Sequence, residues 1–274
     1  MKRSEVTVML YKREENTIKI NNTTMDYIAF GHGNKPLIMI PGLSFNRVKG
    51  TSLLMAILYR VFAKDYRVYM FDRIEDVPEG YSVEDIAHDT AYAMKQLGIS
   101  RANILGVSQG GMIAQCLAMD YPELVDKMVL AVTLARPNQT VETCIDNWIT
   151  MVSNGRMEEF TRDMLVKMYS GKYRKQYGFL VPLVVKFYKP KGIDRFIRLA
   201  KAAANYNRYE EIHKITCPVL VLGAKKDLIA TGEASEELAE TLNAAIYMYD
   251  GMGHGVTQEL EKDFNKRVYE FFQA

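Results

Sequence analysis

What most limits the fold of this chain is a rhythm. Apolar runs of four to six residues alternate with helical patterns of ten or more through most of its 274 residues. The runs at 37–40, 67–71, 103–106, 127–132, 219–222 and 245–249 are rich in Val, Ile, Leu, Met and Tyr and do not alternate cleanly with polar residues. That pattern predicts strands covered on both faces. Earlier runs at 6–10, 17–20 and 25–30 read as strands, with turns at 14–16 and 21–22. Helical periodicity falls over 53–63, 83–97, 109–120, 233–242 and 262–272, with Ser82 as an N-cap and Asp85 in the first turn that follows. Such alternation implies right-handed crossovers and an α/β architecture, a mostly parallel sheet with helices on both sides.

One segment breaks the rhythm. Residues 141–211 show helical periodicity and almost no strand signal, and 150–210 carry 13 Lys+Arg against 5 Asp+Glu, a net +8. This reads as a helical insertion, residues 138–211, packed on a domain made of 1–137 and 212–274. The length suits one large α/β domain or two ordinary ones. With 48% hydrophobic and 25% charged residues, disordered and low-complexity classes are excluded. A net charge of +2 gives no basic excess for nucleic acid. The longest apolar runs, such as 178–185, fall far short of the ~20 residues of a membrane helix, so no stable membrane insertion is expected. Met1-Lys2-Arg3-Ser4-Glu5 is charged, but no apolar stretch of a signal peptide follows. Cys116, Cys144 and Cys217 form neither a disulfide framework nor a zinc pattern. A cytoplasmic protein with reduced thiols is expected.

The strongest local signal is Gly106-Val107-Ser108-Gln109-Gly110, followed by Gly111. Three fixed residues in five carry little weight alone. Here a buried-strand pattern precedes them and a helical one follows at once, the strand–turn–helix setting in which a nucleophilic serine is presented. A serine hydroxyl is a poor nucleophile until it is exposed, oriented and deprotonated. A sharp turn crowds the backbone, and Gly106 and Gly110 relieve that crowding. The alternative is a Gly-Ser turn capping an ordinary helix.

Such a serine needs a base, and the base a carboxylate. Of His32, His88, His213 and His254, only His254 follows a late strand in a glycine-flanked loop, where open α/β sheets bind their ligands. The others read as structural. His32 lies in a tight turn, His88 within a helix, and His213 ahead of a strand. Asp227, just past the 219–222 run, is the acid candidate. Asp250 is the runner-up, but only four residues before His254 it more simply stabilises that turn.

The order Ser108, Asp227, His254 resembles the α/β-hydrolase family, whose triad runs serine, acid, histidine. The resemblance covers nearly the whole chain: Pro41-Gly42-Leu43 and Phe71-Asp72-Arg73 after buried strands, Gly106 to Gly111 at the turn, and Pro218 to Asp227 leading to His254. It implies an α/β-hydrolase fold with an eight-stranded, mostly parallel sheet, and it makes the helical insertion a cap. It also implies an oxyanion hole built from the backbone N–H groups of Gln109 and Leu43. The sequence carries no P-loop, dinucleotide fingerprint or metal cluster, so no cofactor or metal is expected. Two departures stand out. Pro41-Gly42 replaces the His-Gly of many members, and the Asp-x-Arg-Gly-x-Gly-x-Ser stretch is reduced to Asp72-Arg73 followed by an acidic loop. A serine at 108 disfavours the epoxide hydrolases and haloalkane dehalogenases of this fold, which use aspartate there.

Gly106 to Gln115 looks like the enol-lactonase and carboxylesterase branch, which implies a small carboxylic ester, thioester or lactone cleaved through an acyl-enzyme. Carbon–carbon hydrolases and proline iminopeptidases share the triad. A ligand receptor with slow turnover is the rival from another class. The basic cap reads as a solvated helix surface or as an attractor of anionic ligands. Trp148, with Cys144 and Met151, is a ligand-contact candidate where the chain enters the cap. The stretch 178–188, with Phe179 and Leu183, has three readings: an acyl-pocket wall, the cap's own core, or a dimer contact. Monomer and homodimer both stay open.

Overall fold

The computed structural model describes residues 11–180, 182–183 and 191–274. The strand expected at 6–10 lies outside them, as does most of 178–188. Eight strands are described: β1 (Glu14–Ile20), β2 (Thr23–Phe30), β3 (Lys35–Ile40), β4 (Tyr66–Ile74), β5 (Ala102–Val107), β6 (Val125–Ala131), β7 (Val219–Ala224) and β8 (Ala245–Tyr249). They form one sheet in the order β1-β2-β4-β3-β5-β6-β7-β8. β1 pairs antiparallel with β2, and β2 with β4. The remaining pairings are all parallel. The architecture is therefore the expected one, an eight-stranded, mostly parallel sheet in an α/β fold.

The described α-helices, in chain order, are α1 (Ser52–Leu58), α2 (Val83–Gln96), α3 (Gln109–Asp120), α4 (Gln139–Ser153), α5 (Met157–Met168), α6 (Gly171–Tyr177), α7 (Ile193–Ala204), α8 (Gly232–Thr241), α9 (Val256–Glu259) and α10 (Glu261–Gln273). The two sheet faces explain the unbroken apolar runs. In β3, Leu37 and Met39 join a cluster with Ala56 of α1 and Phe264, Val268 and Phe272 of α10. Their neighbours Ile38 and Ile40 join the opposite cluster, with Ile86 of α2, Ile113 of α3 and Leu238 of α8. Burial on both faces removes the polar alternation of a half-exposed strand. Ser82 and Asp85 form a reciprocal capping box at the start of α2.

Three expectations shift. Residues 14–16, expected as a turn, belong to β1, where cross-strand pairing with β2 overrides a polar sequence. The helix expected over 53–63 ends at Leu58 and continues as hydrogen-bonded turns. β8, expected as buried, is the sheet's edge, and Ala245, Ile246 and Tyr247 are exposed.

Helices α4 to α7 lie between β6 and β7. Val141, Trp148, Phe160, Phe196 and Leu199 from this insertion join the same apolar cluster as the sheet. α7 is also tied down by charge. Asp72 Oδ1 accepts from Arg195 Nη2 at 2.9 Å and from the Arg73 N–H at 2.7 Å, while Oδ2 accepts from Arg47 Nε at 2.7 Å. Burial raises the cost of ionising Asp72, but Arg195 and Arg47 outweigh it and hold the carboxyl below its ordinary range. A carboxylate held low in the folded state stabilises fully above its unfolded value, about pH 4, and loses that contribution as pH falls through the lower folded value. Asp72→Asn should cost about 3 kcal/mol at neutral pH, because the partly buried Arg195 and Arg47 lose their buried counter-charge. Urea denaturation at several pH values should show the deficit shrinking below about pH 4.

Candidate active site

β5 ends at Val107 and α3 begins at Gln109, so Ser108 stands alone in the turn between them. Its backbone lies at φ 54° and ψ −123°, a conformation that costs a non-glycine residue about 1–3 kcal/mol. The turn is held in place from β6 and beyond. The Ser108 N–H donates to the Ala131 carbonyl at 2.9 Å, and the Ser108 carbonyl accepts from Thr133 Oγ1 at 2.8 Å. The surrounding glycines are spatial necessities. A Cβ on Gly106 would lie 2.5 Å from the Gly110 carbonyl oxygen, and one on Gly110 would lie 1.9 Å from that of Ile40. Gly110→Ala therefore forces β3 and α3 apart. It should destabilise the fold by about 3 kcal/mol or more, read as a lowered Tm.

His254 Nε2 lies 2.9 Å from Ser108 Oγ, and His254 Nδ1 lies 2.8 Å from Asp227 Oδ2. Asp227 follows β7, and its Oδ1 accepts from the Ile229 and Ala230 N–H groups at 2.8 and 3.1 Å. One carboxylate oxygen is thus anchored to backbone while the other faces the imidazole. The Asp227 side chain is fully buried. A carboxylate at Nδ1 keeps the ring proton there, which leaves Nε2 free to accept the Ser108 hydroxyl proton.

The histidine loop rests on the insertion. The Gly255 N–H donates to the Met168 carbonyl at 2.7 Å, and a Cβ on Gly255 would lie 2.6 Å from the Tyr169 ring. The end of α5 therefore packs beside His254. The other histidines lie elsewhere: His88 Nδ1 faces the Tyr121 hydroxyl at 3.4 Å, His213 Nδ1 the Glu210 carbonyl at 2.8 Å, and the His32 N–H donates to Ala63. Asp250 is exposed and paired with Lys225 at 2.8 Å.

The loop after β3 passes over the serine. A Cβ on Gly42 would lie 3.2 Å from Ser108 Cβ and 3.7 Å from Oγ, so Leu43 follows directly on this contact. Gln109 opens α3, where the first N–H groups of a helix have no partner within it. Its side chain spans two layers: Oε1 accepts from Arg73 Nη2 at 3.1 Å, and Nε2 donates to the Leu199 carbonyl of α7 at 2.6 Å. Burial pulls the Arg73 guanidinium down to about 10, against the opposing pull of Asp72, and it stays protonated at neutral pH.

Phe45, two residues past Leu43, stacks on Phe196 of α7 with ring centroids 3.9 Å apart and meets Phe160 of α5 edge-on at 5.6 Å. Trp148 joins through Phe160, and its indole N–H donates to Asp163 Oδ2 at 2.6 Å. This aromatic cluster closes the space between the insertion and the loop after β3. No local pattern marks Phe45, Phe160 or Phe196, because their proximity depends on how the insertion folds back. Phe179 and Leu183 are 74% and 55% exposed, so neither is enclosed. Cys144 is buried, and burial pushes its thiol up to about 11; burial likewise raises the Cys116 thiol. Among the described residues, no group of three or more His, Cys, Asp or Glu side chains is placed to hold a metal ion. None of the described helices is long and apolar enough to cross a membrane. A cavity of about 520 Å³ opens between Tyr81, Glu84, Arg198 and Lys201, and none of Ser108, Asp227 and His254 lines it.

Known proteins resemble this chain at low identity. A protein from Caulobacter sp. (strain K31) named "Putative carbamate hydrolase RutD" is 24% identical over 221 residues, covering 76% of this chain and 81% of its own. The enol-lactonase from Burkholderia xenovorans LB400 superposes with a TM-score of 0.81 at 23% identity, covering 94% of this chain and 100% of its own. An esterase from Exiguobacterium antarcticum gives 0.80 at 18% identity, covering 95% and 100%. The family model described as alpha/beta hydrolase fold matches residues 30–257, from the end of β2 through the histidine loop, and this chain belongs to that family.

Proposed function

We propose that the protein is a serine hydrolase that cleaves a small carboxylic ester, thioester or lactone through an acyl-enzyme on Ser108. The observation that carries this reading is the unbroken line from Ser108 Oγ through His254 to Asp227, at 2.9 and 2.8 Å. Ser108 Oγ attacks the acyl carbon as its proton passes to His254 Nε2. Asp227 holds the imidazole and stabilises the imidazolium. The N–H groups of Leu43 and Gln109 receive the oxyanion, each contributing about 3 kcal/mol to lowering the barrier. His254 then protonates the leaving oxygen or sulfur. Water then attacks the acyl carbon as its proton passes to His254, and His254 returns that proton to Ser108 Oγ as the acyl–Oγ bond breaks and the acid leaves.

In this reading residues 138–211 act as a cap, and the aromatic cluster of Phe45, Phe160 and Phe196 borders the acyl site. An amine-recognising peptidase fits less well. Three of the cap's acids are already paired: Glu158 with Arg162, Glu159 with Arg156, and Asp163 with Lys167. A carbamate is the second chemistry to test, since a relative's name carries it. It is attacked at the same kind of acyl carbon. Buried cysteines that bear no disulfide are compatible with a cytoplasmic enzyme.

The test is fluorophosphonate labelling of the purified protein beside hydrolysis of short p-nitrophenyl esters, a γ-lactone and a p-nitrophenyl carbamate. Labelling with multiple turnovers on esters or lactone supports the reading. Faster turnover of the carbamate moves the substrate class. Labelling with only a single turnover on every compound favours a receptor, and no labelling overturns the serine nucleophile.

A further inference from the structure

Arg73 is 4% exposed, and its Nη2 makes two hydrogen bonds that the triad does not require. It donates to the Pro41 carbonyl at 2.6 Å and to Gln109 Oε1 at 3.1 Å. Pro41 begins the loop that carries Leu43, and Gln109 is the residue after the nucleophile. These two segments come from different strands, β3 and β5, and each supplies one of the oxyanion donors assigned above. One guanidinium nitrogen therefore bridges both halves of the oxyanion hole.

Packing alone does not account for this residue. A buried cation is costly unless its donors are satisfied, and Arg73 Nε has no partner. Methionine would fill a similar volume without that cost. What the guanidinium adds is direction, since its planar donors fix the positions of their acceptors. The backbone of Arg73 is itself held, because its N–H donates to Asp72 and its carbonyl accepts from Arg195 Nη2 at 2.9 Å. On the far side, the Gln109 amide continues the chain to the Leu199 carbonyl of α7 at 2.6 Å.

We propose that Arg73 is a positioning residue for the oxyanion hole, a clamp between the Pro41–Leu43 loop and Gln109 that the Gln109 side chain connects to the cap. The proposal rests on the hydrolase reading above and deepens it. An oxyanion hole works only when its donors are preorganised within about 2.7–3.1 Å of the developing charge. A displacement of about 1 Å costs up to about 10²-fold in rate.

The experiment compares wild type with Arg73→Met and Arg73→Lys in two assays: the second-order rate of fluorophosphonate labelling of Ser108, and kcat and KM for p-nitrophenyl acetate. The Met variant should label and turn over about 10²-fold more slowly with KM little changed. Lysine, a point charge without the fork, should recover only part of that loss. Millimolar methylguanidinium should restore part of the rate to Arg73→Ala and do nothing for wild type. A structural role would lower Tm without this split between kcat and KM and without rescue. If Arg73→Met does not fold, Gln109→Leu keeps the backbone donor but removes the clamp's acceptor, and it should slow labelling by about tenfold. Folded Arg73→Met that labels at the wild-type rate overturns the proposal, as does a wild-type rate in Gln109→Leu. If wild type itself is not labelled, the hydrolase reading falls and the proposal falls with it. If wild type labels and the variants match it, this inference alone fails.

Discussion

His254→Ala should lower kcat on any ester the protein turns over by about 10⁴-fold or more, and Ser108→Ala should do the same. The two losses should not multiply in the double variant, because in the proposed mechanism nucleophile and base act as one unit. The geometry gives the reason. Ser108 Oγ has its hydrogen-bond partner in His254 Nε2 at 2.9 Å, and removing the imidazole leaves the hydroxyl with no acceptor for its proton. The folded state should tolerate both changes, since neither residue contributes a large apolar side chain to the core. Steady-state kinetics beside a thermal melt separates the two effects. A His254→Ala variant that keeps more than about a tenth of wild-type kcat, well above the loss expected for a triad base, removes His254 from the mechanism.

Asp227→Asn should cost a comparable factor, about 10⁴-fold in kcat, with almost no change in the shape of the site. Asp227 Oδ1 accepts two backbone N–H groups, from Ile229 and Ala230, so the asparagine carbonyl oxygen takes that position. Its NH₂ group is then turned toward His254 Nδ1, where the carboxylate oxygen lies at 2.8 Å. A donor facing Nδ1 forces the ring proton onto Nε2, and Nε2 loses its ability to accept from Ser108. Nitrogen NMR of the imidazole would report that tautomer directly. A wild-type tautomer together with wild-type kcat in Asp227→Asn sinks the assignment of the acid.

Much of this was legible in the sequence because it is locally encoded. The turn at Ser108 needs one strand, one helix and small residues between them, all within Ala102 to Asp120. Gly106 and Gly110 announce the crowding that a Cβ would meet there. His254 and Asp227 stood out because each follows a strand pattern on the same edge of a parallel sheet. The exceptions are instructive. Residues 14–16 carry turn chemistry yet lie in β1, since pairing with β2 satisfies their backbone. β8 has the composition of a buried strand and sits at the edge, because strand order is a property of the sheet.

The insertion was legible as helices and as a charge anomaly, but not as a surface. Which of its side chains meet the core depends on how α5 and α7 return to the sheet. Phe196 stacks on Phe45, Leu199 accepts from Gln109, and Met168 accepts from Gly255, all across separations that no local pattern records. Arg73 shows the same division. In the sequence it is one half of an Asp-Arg pair after a strand, and only the fold shows its guanidinium reaching Pro41 and Gln109 at once. The strand–helix alternation, the strained turn and the order of the three chemical groups could be read from the chain, because hydrophobic period and backbone sterics act over a few residues. Tertiary structure alone decided what surrounds those groups, because burial and hydrogen-bond partners depend on chain segments that approach only once the whole core has packed.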